Sequence, residues 1–144
     1  MNRAVKGFTL IELVVVITIL GILAAFAFPR FAALEVEARA AATDGLGGSI
    51  RGGAALAHSL ALVQGVAANG AVSMEGVTID LVNFYPDVDS IDDTLQDFTG
   101  FTLSATGTVA TFETDGGNAG TCTVTYTEAL SGAAPLYDVD NSAC

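Results

Sequence analysis

The chain begins with a long apolar segment that has the length of a membrane-spanning helix. Residues 8–28 have the sequence FTLIELVVVITILGILAAFAF and contain one charged side chain, Glu12. As a helix they would extend about 32 Å at ~1.5 Å per residue, which is enough to cross the hydrocarbon core of a bilayer. Arg3 and Lys6 precede the segment, and cations on that side favour a cytoplasmic N-terminus and export of the remaining chain.

Two other kinds of apolar segment fit the sequence less well. A cleaved secretory signal has a shorter apolar stretch followed by a small-residue cleavage site, whereas here the apolar run continues through Phe26 and Phe28. A plain membrane anchor leaves Glu12 unexplained, because a carboxylate near the bilayer centre costs roughly 2.5–3.5 kcal/mol. An acidic residue at this depth is therefore a candidate for function, with a partner still to be identified.

Helical spacing continues beyond this segment. Because proline lacks an N–H and clashes with the preceding turn, Gly21 and Pro29 predict a kink or local break near residues 25–29. Apolar residues then recur every three or four positions, which predicts an amphipathic helix ending between Val63 and Gly65. Glycines inside it, at about 1 kcal/mol each relative to alanine, are tolerable where the helix lies close against a sheet. The alternative is a helix broken near residues 47–48.

The C-terminal part of the chain has the apolar–polar alternation of half-buried strands. Strands are predicted at residues 77–81, 101–103, 108–114 and 121–127. In the last of these, Cys122, Val124 and Tyr126 fall on one face, and Glu75 with Gly76 offers a turn before the first. Three or four antiparallel strands with one face on the helix predict an α+β body without a separate linker.

The charge distribution along the chain excludes several functions. All five cations lie at or before Arg51, whereas residues 52–144 carry 12 carboxylates and no Lys or Arg. The apolar content of 51 % excludes a disordered acidic tail, and the formal charge of −11 disfavours nucleic acid as a partner, since phosphate contacts need clustered Lys and Arg. The hydrolase and phosphate-loop motifs are missing, so neither an enzyme nor a cofactor is predicted.

Acidic residues in the body are the only candidates for metal ligands. Weak calcium candidates are Asp87, Asp89, Asp92 and Asp93. The EF-hand pattern fails, however, because Ile91 and Asp92 stand where a ligand and a glycine are needed. The competing prediction is a short helix capped by Ser90 and Asp93. The single histidine, His58, has no Cys or Glu at ligand spacing, so no metal is predicted there.

Cys122 and Cys144 are the only cysteines. In an exported chain such a pair predicts a disulfide, which would close the end of the chain into a loop and contribute roughly 3–4 kcal/mol. Two free thiols are the alternative.

Residues Lys6-Gly7-Phe8-Thr9-Leu10-Ile11-Glu12 resemble the processing site of type IV pilins and pseudopilins. The resemblance implies that a prepilin peptidase and N-methyltransferase cleaves after Gly7 and methylates Phe8, while the apolar segment is retained. Residues 1–7 would then be the leader, 8–64 the long helix with its membrane and filament part at 8–28, and 65–144 the β-sheet head.

The same resemblance suggests how the chain would assemble. In a filament the apolar helices would pack together, and the Glu12 carboxylate would meet the Phe8 amine of a neighbouring subunit, which fixes their axial register. The stretch between Gly21 and Pro29 would loosen on assembly, the alternative being a rigid kink.

Scattered shorter pieces are similar to pilins of the mannose-sensitive haemagglutinin (MSHA) type, namely Pro29-Arg30-Phe31, Phe84-Tyr85-Pro86 and residues 122–127 with Cys144. This implies the type IV pilin fold, with a long kinked helix packed on a small antiparallel sheet and a disulfide-bounded outer loop.

The expected function is a major pilin for adhesion and biofilm formation. Its partners would be copies of itself, minor pilins and the assembly platform, first in the inner membrane as a single-pass precursor and then in an extracellular pilus. The alternative is a calcium-binding pseudopilin of type II secretion.

Overall fold

A computed structural model describes residues 7–117 and 120–144, except for the side chain of Ala32. Arg3 and Lys6 of the predicted leader lie outside this range. The elements in chain order are α1 (Leu10–Gln64), β1 (Ala71–Met74), β2 (Val77–Val82), β3 (Tyr85–Pro86), a 3-10 helix (Asp92–Thr94), β4 (Phe101–Thr106), β5 (Val109–Thr114), β6 (Thr123–Thr127) and β7 (Leu136–Asp140). The predicted α+β arrangement of a long helix followed by antiparallel strands is confirmed.

The chain divides into two compact units, Met1–Glu35 and Val36–Cys144. In the first unit α1 is helical through both Gly21 and Pro29, so the local break predicted there is wrong. Proline removes one i→i−4 hydrogen bond at a cost of roughly 3 kcal/mol, but the helix continues on either side of the missing bond. A bend at these two residues stays a prediction.

In the second unit α1 packs one face against the sheets and ends at Gln64, within the predicted limits. The buried helix residues are Thr43, Leu46, Gly47, Ile50, Ala54, Ala57 and Ala61. Gly47 and Gly53 allow the close approach, since a Cβ on Gly47 would lie 2.7 Å from Val139 Cγ2 and one on Gly53 would lie 2.9 Å from Thr94 Cβ. The prediction of one continuous helix is confirmed, and the alternative of a break near residues 47–48 is wrong.

The first sheet is a three-stranded antiparallel sheet in the order β1-β2-β3. Met74 pairs with Val77, so β1 and β2 are joined by a two-residue turn. Both turn residues have positive φ, 50° at Glu75 and 89° at Gly76, as a tight hairpin turn requires. The inner face of this sheet packs Val72, Ile79 and Leu81 against Ala57 and Ala61 of α1.

The second sheet is four-stranded and antiparallel in the order β4-β5-β6-β7. Its inner face holds the largest buried side chains, Phe112 and Tyr126, against Leu46 and Ile50 of α1. The Tyr126 hydroxyl donates a 2.7 Å hydrogen bond to the carbonyl oxygen of Pro86, and burial raises the pKa of this tyrosine. The predicted shared face of Cys122, Val124 and Tyr126 is confirmed by the burial of all three.

Two expectations for the body are wrong. Instead of one sheet with three or four strands there are two sheets with seven strands, because β1, β3 and β7 are added by backbone pairing with β2 and β6. The predicted helix cap at Ser90 and Asp93 does not form, since the 3-10 helix has Ile91 at its N-cap without a side-chain hydrogen bond. Ser90 is buried instead, and its Oγ accepts a 3.4 Å hydrogen bond from the Asp80 N–H.

Candidate functional site

The apolar part of α1 is the most unusual surface of the molecule. Every side chain described from Phe8 to Glu35 is exposed, including Phe26 at 76 % and Phe28 at 77 %. Among the described residues, α1 is the one helix long and apolar enough to cross a membrane, with a window of mean hydropathy 2.7 that has no part buried. An exposed apolar surface of this extent indicates a membrane or protein interface.

The first turn of α1 is closed by a capping box between Thr9 and Glu12. Glu12 Oε2 accepts hydrogen bonds from the Thr9 backbone N–H at 2.9 Å and from the Thr9 hydroxyl at 2.6 Å. In return, the Glu12 N–H donates to Thr9 Oγ1 at 3.3 Å. The cap holds the carboxylate at the N-terminal end of the helix, where the helix dipole favours negative charge.

Sequence reasoning misses this cap, although Thr-x-x-Glu ahead of an apolar run is its signature. Because the cap uses only Oε2 of Glu12, the second carboxylate oxygen stays available. Glu12 Oε1 accepts no hydrogen bond from the part of the chain that the structure describes. Glu12 lies in a shallow groove of about 340 Å³, which is also lined by Phe8, Ile11, Val15 and Val16. A cation entering this apolar groove would therefore find a fixed carboxylate with a free oxygen.

The predicted processing residues lie at the start of the described chain. Gly7 is exposed, and no atom outside its chain neighbours lies within 4 Å of where its Cβ would be. Phe8 is 83 % exposed. Both residues are therefore exposed, as access of a peptidase to the bond between them requires.

The two cysteines form a disulfide, with Cα atoms 4.9 Å apart. Thr43 of α1 contacts it from the helix side, with Oγ1 3.3 Å from Cys122 Sγ and 3.0 Å from Thr114 Oγ1. Arg39 Nη1 donates a 3.1 Å hydrogen bond to the Cys144 carbonyl oxygen. The disulfide and these polar contacts therefore join the last residues of the chain both to β6 and to α1.

The weak calcium candidates do not converge on a common point. Asp87 Oδ1 accepts a 2.9 Å hydrogen bond from the Asp89 N–H, while Asp92 and Asp93 start the 3-10 helix. Burial, more than the neighbouring carboxylates, raises the pKa of Asp92. Within residues 7–117 and 120–144 no three His, Cys, Asp or Glu side chains are grouped so that they could hold a metal ion.

His58 has a packing role in the body. Its ring stacks on Tyr85 with centroids 4.1 Å apart, and Nδ1 lies 3.1 Å from the Phe84 carbonyl oxygen. Phe84 and Asn83 both have positive φ, 72° and 53°. The histidine thus fixes an unusual turn between β2 and β3.

Comparison with known proteins finds a family motif at the N-terminus and similarity to a pilus component. Residues 2–28 match the family described as the prokaryotic N-terminal methylation motif. Among curated proteins the chain is similar to the type IV narrow pilus major component PilA5 of Thermus thermophilus, with 50 % identity over 59 residues. The aligned stretch is 41 % of this chain and 47 % of the relative, so the chain spans about half the length of that protein. No solved structure matches the chain.

Proposed function

We propose that the chain is the precursor of a type IV pilin, the structural subunit of a surface filament. The observation that carries the proposal is the exposed apolar surface of α1 between Phe8 and Glu35. An exposed apolar surface of this extent needs a cover, which a bilayer supplies first and other copies of the chain supply in the polymer. The methylation motif and the similarity to a pilus component support this order of events.

Processing after Gly7 supplies the charge that assembly needs. Cleavage removes Arg3 and Lys6 and creates an amine on Phe8, which the N-methyltransferase then methylates. The product carries three cations and 16 carboxylates in its side chains. The precursor is held as a single-pass protein of the inner membrane, with the acidic body on the outer side.

The Phe8 amine of one subunit pairs with the Glu12 carboxylate of the next. Thr9 already occupies Oε2, and Oε1 is the oxygen that can accept from the incoming amine. In a dry helical core an unpaired charge is strongly unfavourable, whereas the pair is compensated. Only one axial offset between helices makes the pair, so the two charges set the register.

The body and the relative favour a pilin over a pseudopilin. The Cys122–Cys144 disulfide closes the last part of the chain into the kind of loop that the resemblance assigns to the outer surface of a pilin. The similar curated protein is itself a major pilus component. We propose an MSHA-type pilin acting in adhesion and biofilm formation, which the assembly platform and minor pilins help to polymerise.

Electron microscopy of the cell surface tests the function. Cells that produce the chain are compared with cells that lack it, and filaments are labelled with an antibody against the body. We expect labelled surface filaments on cells that produce the chain and none on cells that lack it. Short periplasmic assemblies without surface filaments, together with calcium bound by the purified protein, would establish the pseudopilin instead.

A further inference from the structure

A groove of about 590 Å³ opens on the second unit between α1, the β1–β2 turn and the segment around the 3-10 helix. Its apolar wall consists of Leu56, Leu60, Met74, Val77 and Leu95. Leu56 is 53 % exposed and Val77 is 43 % exposed. The groove therefore presents apolar surface of the second unit to solvent.

Two carboxylates line the same groove. Glu75 lies in the β1–β2 turn and Asp93 lies in the 3-10 helix, and both are exposed. Neither side chain makes a hydrogen bond or ion pair with the part of the chain that the structure describes. Residues 52–144 contain no Lys or Arg, so a cation for this groove must come from outside that part of the chain.

Three cations remain after the leader is removed, and two of them are engaged. Arg39 donates to the Cys144 carbonyl oxygen, and the Arg51 guanidinium lies 5.5 Å from the centroid of the Tyr137 ring. Arg30 is exposed and makes no such contact within the described residues. Its neighbours Phe28 and Phe31 are 77 % and 69 % exposed, so Arg30 is a single cation within an exposed aromatic surface.

We propose that the groove binds the helix segment around Arg30 of a second copy of the chain. The guanidinium lies between Glu75 and Asp93, and the flanking phenylalanine rings cover the apolar wall. The proposal rests on the polymer of the proposed function and adds a second subunit contact to the pairing at Glu12. Complementarity of both charge and apolar surface selects this occupant over an anionic lipid headgroup, which the two carboxylates would repel.

A charge exchange tests the contact. Arg30→Glu and Glu75→Arg each place like charges together and should lower the yield of sheared filaments about fivefold or more, relative to mature subunit in the membrane. The triple variant Arg30→Glu, Glu75→Arg and Asp93→Arg restores the attraction with reversed signs at both carboxylate positions and should return to within about twofold of wild type. Asp138→Arg, which changes an exposed carboxylate of β7 outside the groove, is the matched control and should leave the yield unchanged.

Cysteine pairing checks that the contact joins two copies. One copy with Arg30→Cys and another with Glu75→Cys are produced together, and oxidised filaments are run without reductant. A covalent dimer is expected for this combination and not when Asp138→Cys replaces Glu75→Cys. Equal dimer yields for the Glu75→Cys and Asp138→Cys combinations would overturn the groove contact. Wild-type filament yields for the single charge variants would overturn it as well. Neither result would contradict the proposed function. If the unchanged chain forms no filaments, the proposed function fails and this contact with it.

Discussion

The charge of Glu12 and its capping role are separable, and comparing two variants separates them. Glu12→Gln removes the charge but keeps an amide oxygen that can accept from the Thr9 N–H and hydroxyl. Thr9→Ala removes the hydroxyl but leaves the carboxylate. If Glu12 acts by pairing with the Phe8 amine, the first change abolishes assembly and the second does not.

The proposed pairing and the observed cap give different expected magnitudes. Glu12→Gln leaves the Phe8 amine unpaired in a dry core, at a cost of roughly 3–5 kcal/mol, or about 10²- to 10⁴-fold in the assembly constant. Losing the Thr9 hydroxyl at the N-cap costs about 1 kcal/mol of helix stability. The helix loses this stability in the membrane as well as in the filament, so the loss largely cancels in the free energy of assembly. The assembly constant should therefore stay within about fivefold of wild type.

The assay measures filaments sheared from cells against mature subunit left in the membrane, by immunoblot of both fractions. Both variants must first be inserted and cleaved like the wild type, which the size and amount of the membrane band establish. Filament yields near wild type for Glu12→Gln would refute the pairing. Equal losses for the two variants would show that the cap, and not the charge, is what assembly requires.

Four further variants test the processing site and the body. Gly7→Leu should leave uncleaved precursor in the membrane, and a band of mature size would contradict the assigned cleavage bond. On the full-length protein in detergent, Gly52→Ala should raise the free energy of unfolding by about 1 kcal/mol, because open space surrounds that position. Gly53→Ala should lower it by about 1–3 kcal/mol, because its Cβ would collide with Thr94; a gain at both sites would refute the close approach. Cys144→Ser should lower the unfolding free energy by roughly 2–5 kcal/mol in denaturant titrations, and an unchanged midpoint would contradict a structural role for the disulfide.

The parts of the fold with strong side-chain periodicity could be predicted from sequence. The end of α1 at Gln64 follows from apolar spacing, and the inner face of β6 follows from alternation through Val124 and Tyr126. β3 could not be predicted in this way, because a two-residue strand carries no period and exists only through pairing with β2. The burial of Ser90 likewise depends on Asp80, ten residues earlier.

In the candidate site, too, the residues with a local sequence signature could be predicted, and those that meet only on folding could not. The motif around Gly7 and Glu12 is contiguous, so its residues are recognisable in the sequence. The cap by Thr9 has a local signature and could have been found. The groove with Glu75 and Asp93 could not, because α1, the β1–β2 turn and the 3-10 helix meet only when the chain folds.

In the proposed function the apolar segment is retained after cleavage and becomes the core of a polymer. Mass analysis of the N-terminal peptide from sheared surface filaments decides whether this occurs. We expect a peptide that begins at Phe8, carries one added methyl group and continues unbroken through Phe28. A peptide beginning at Met1, or a protein that has lost the whole segment and is released as monomers, would contradict it.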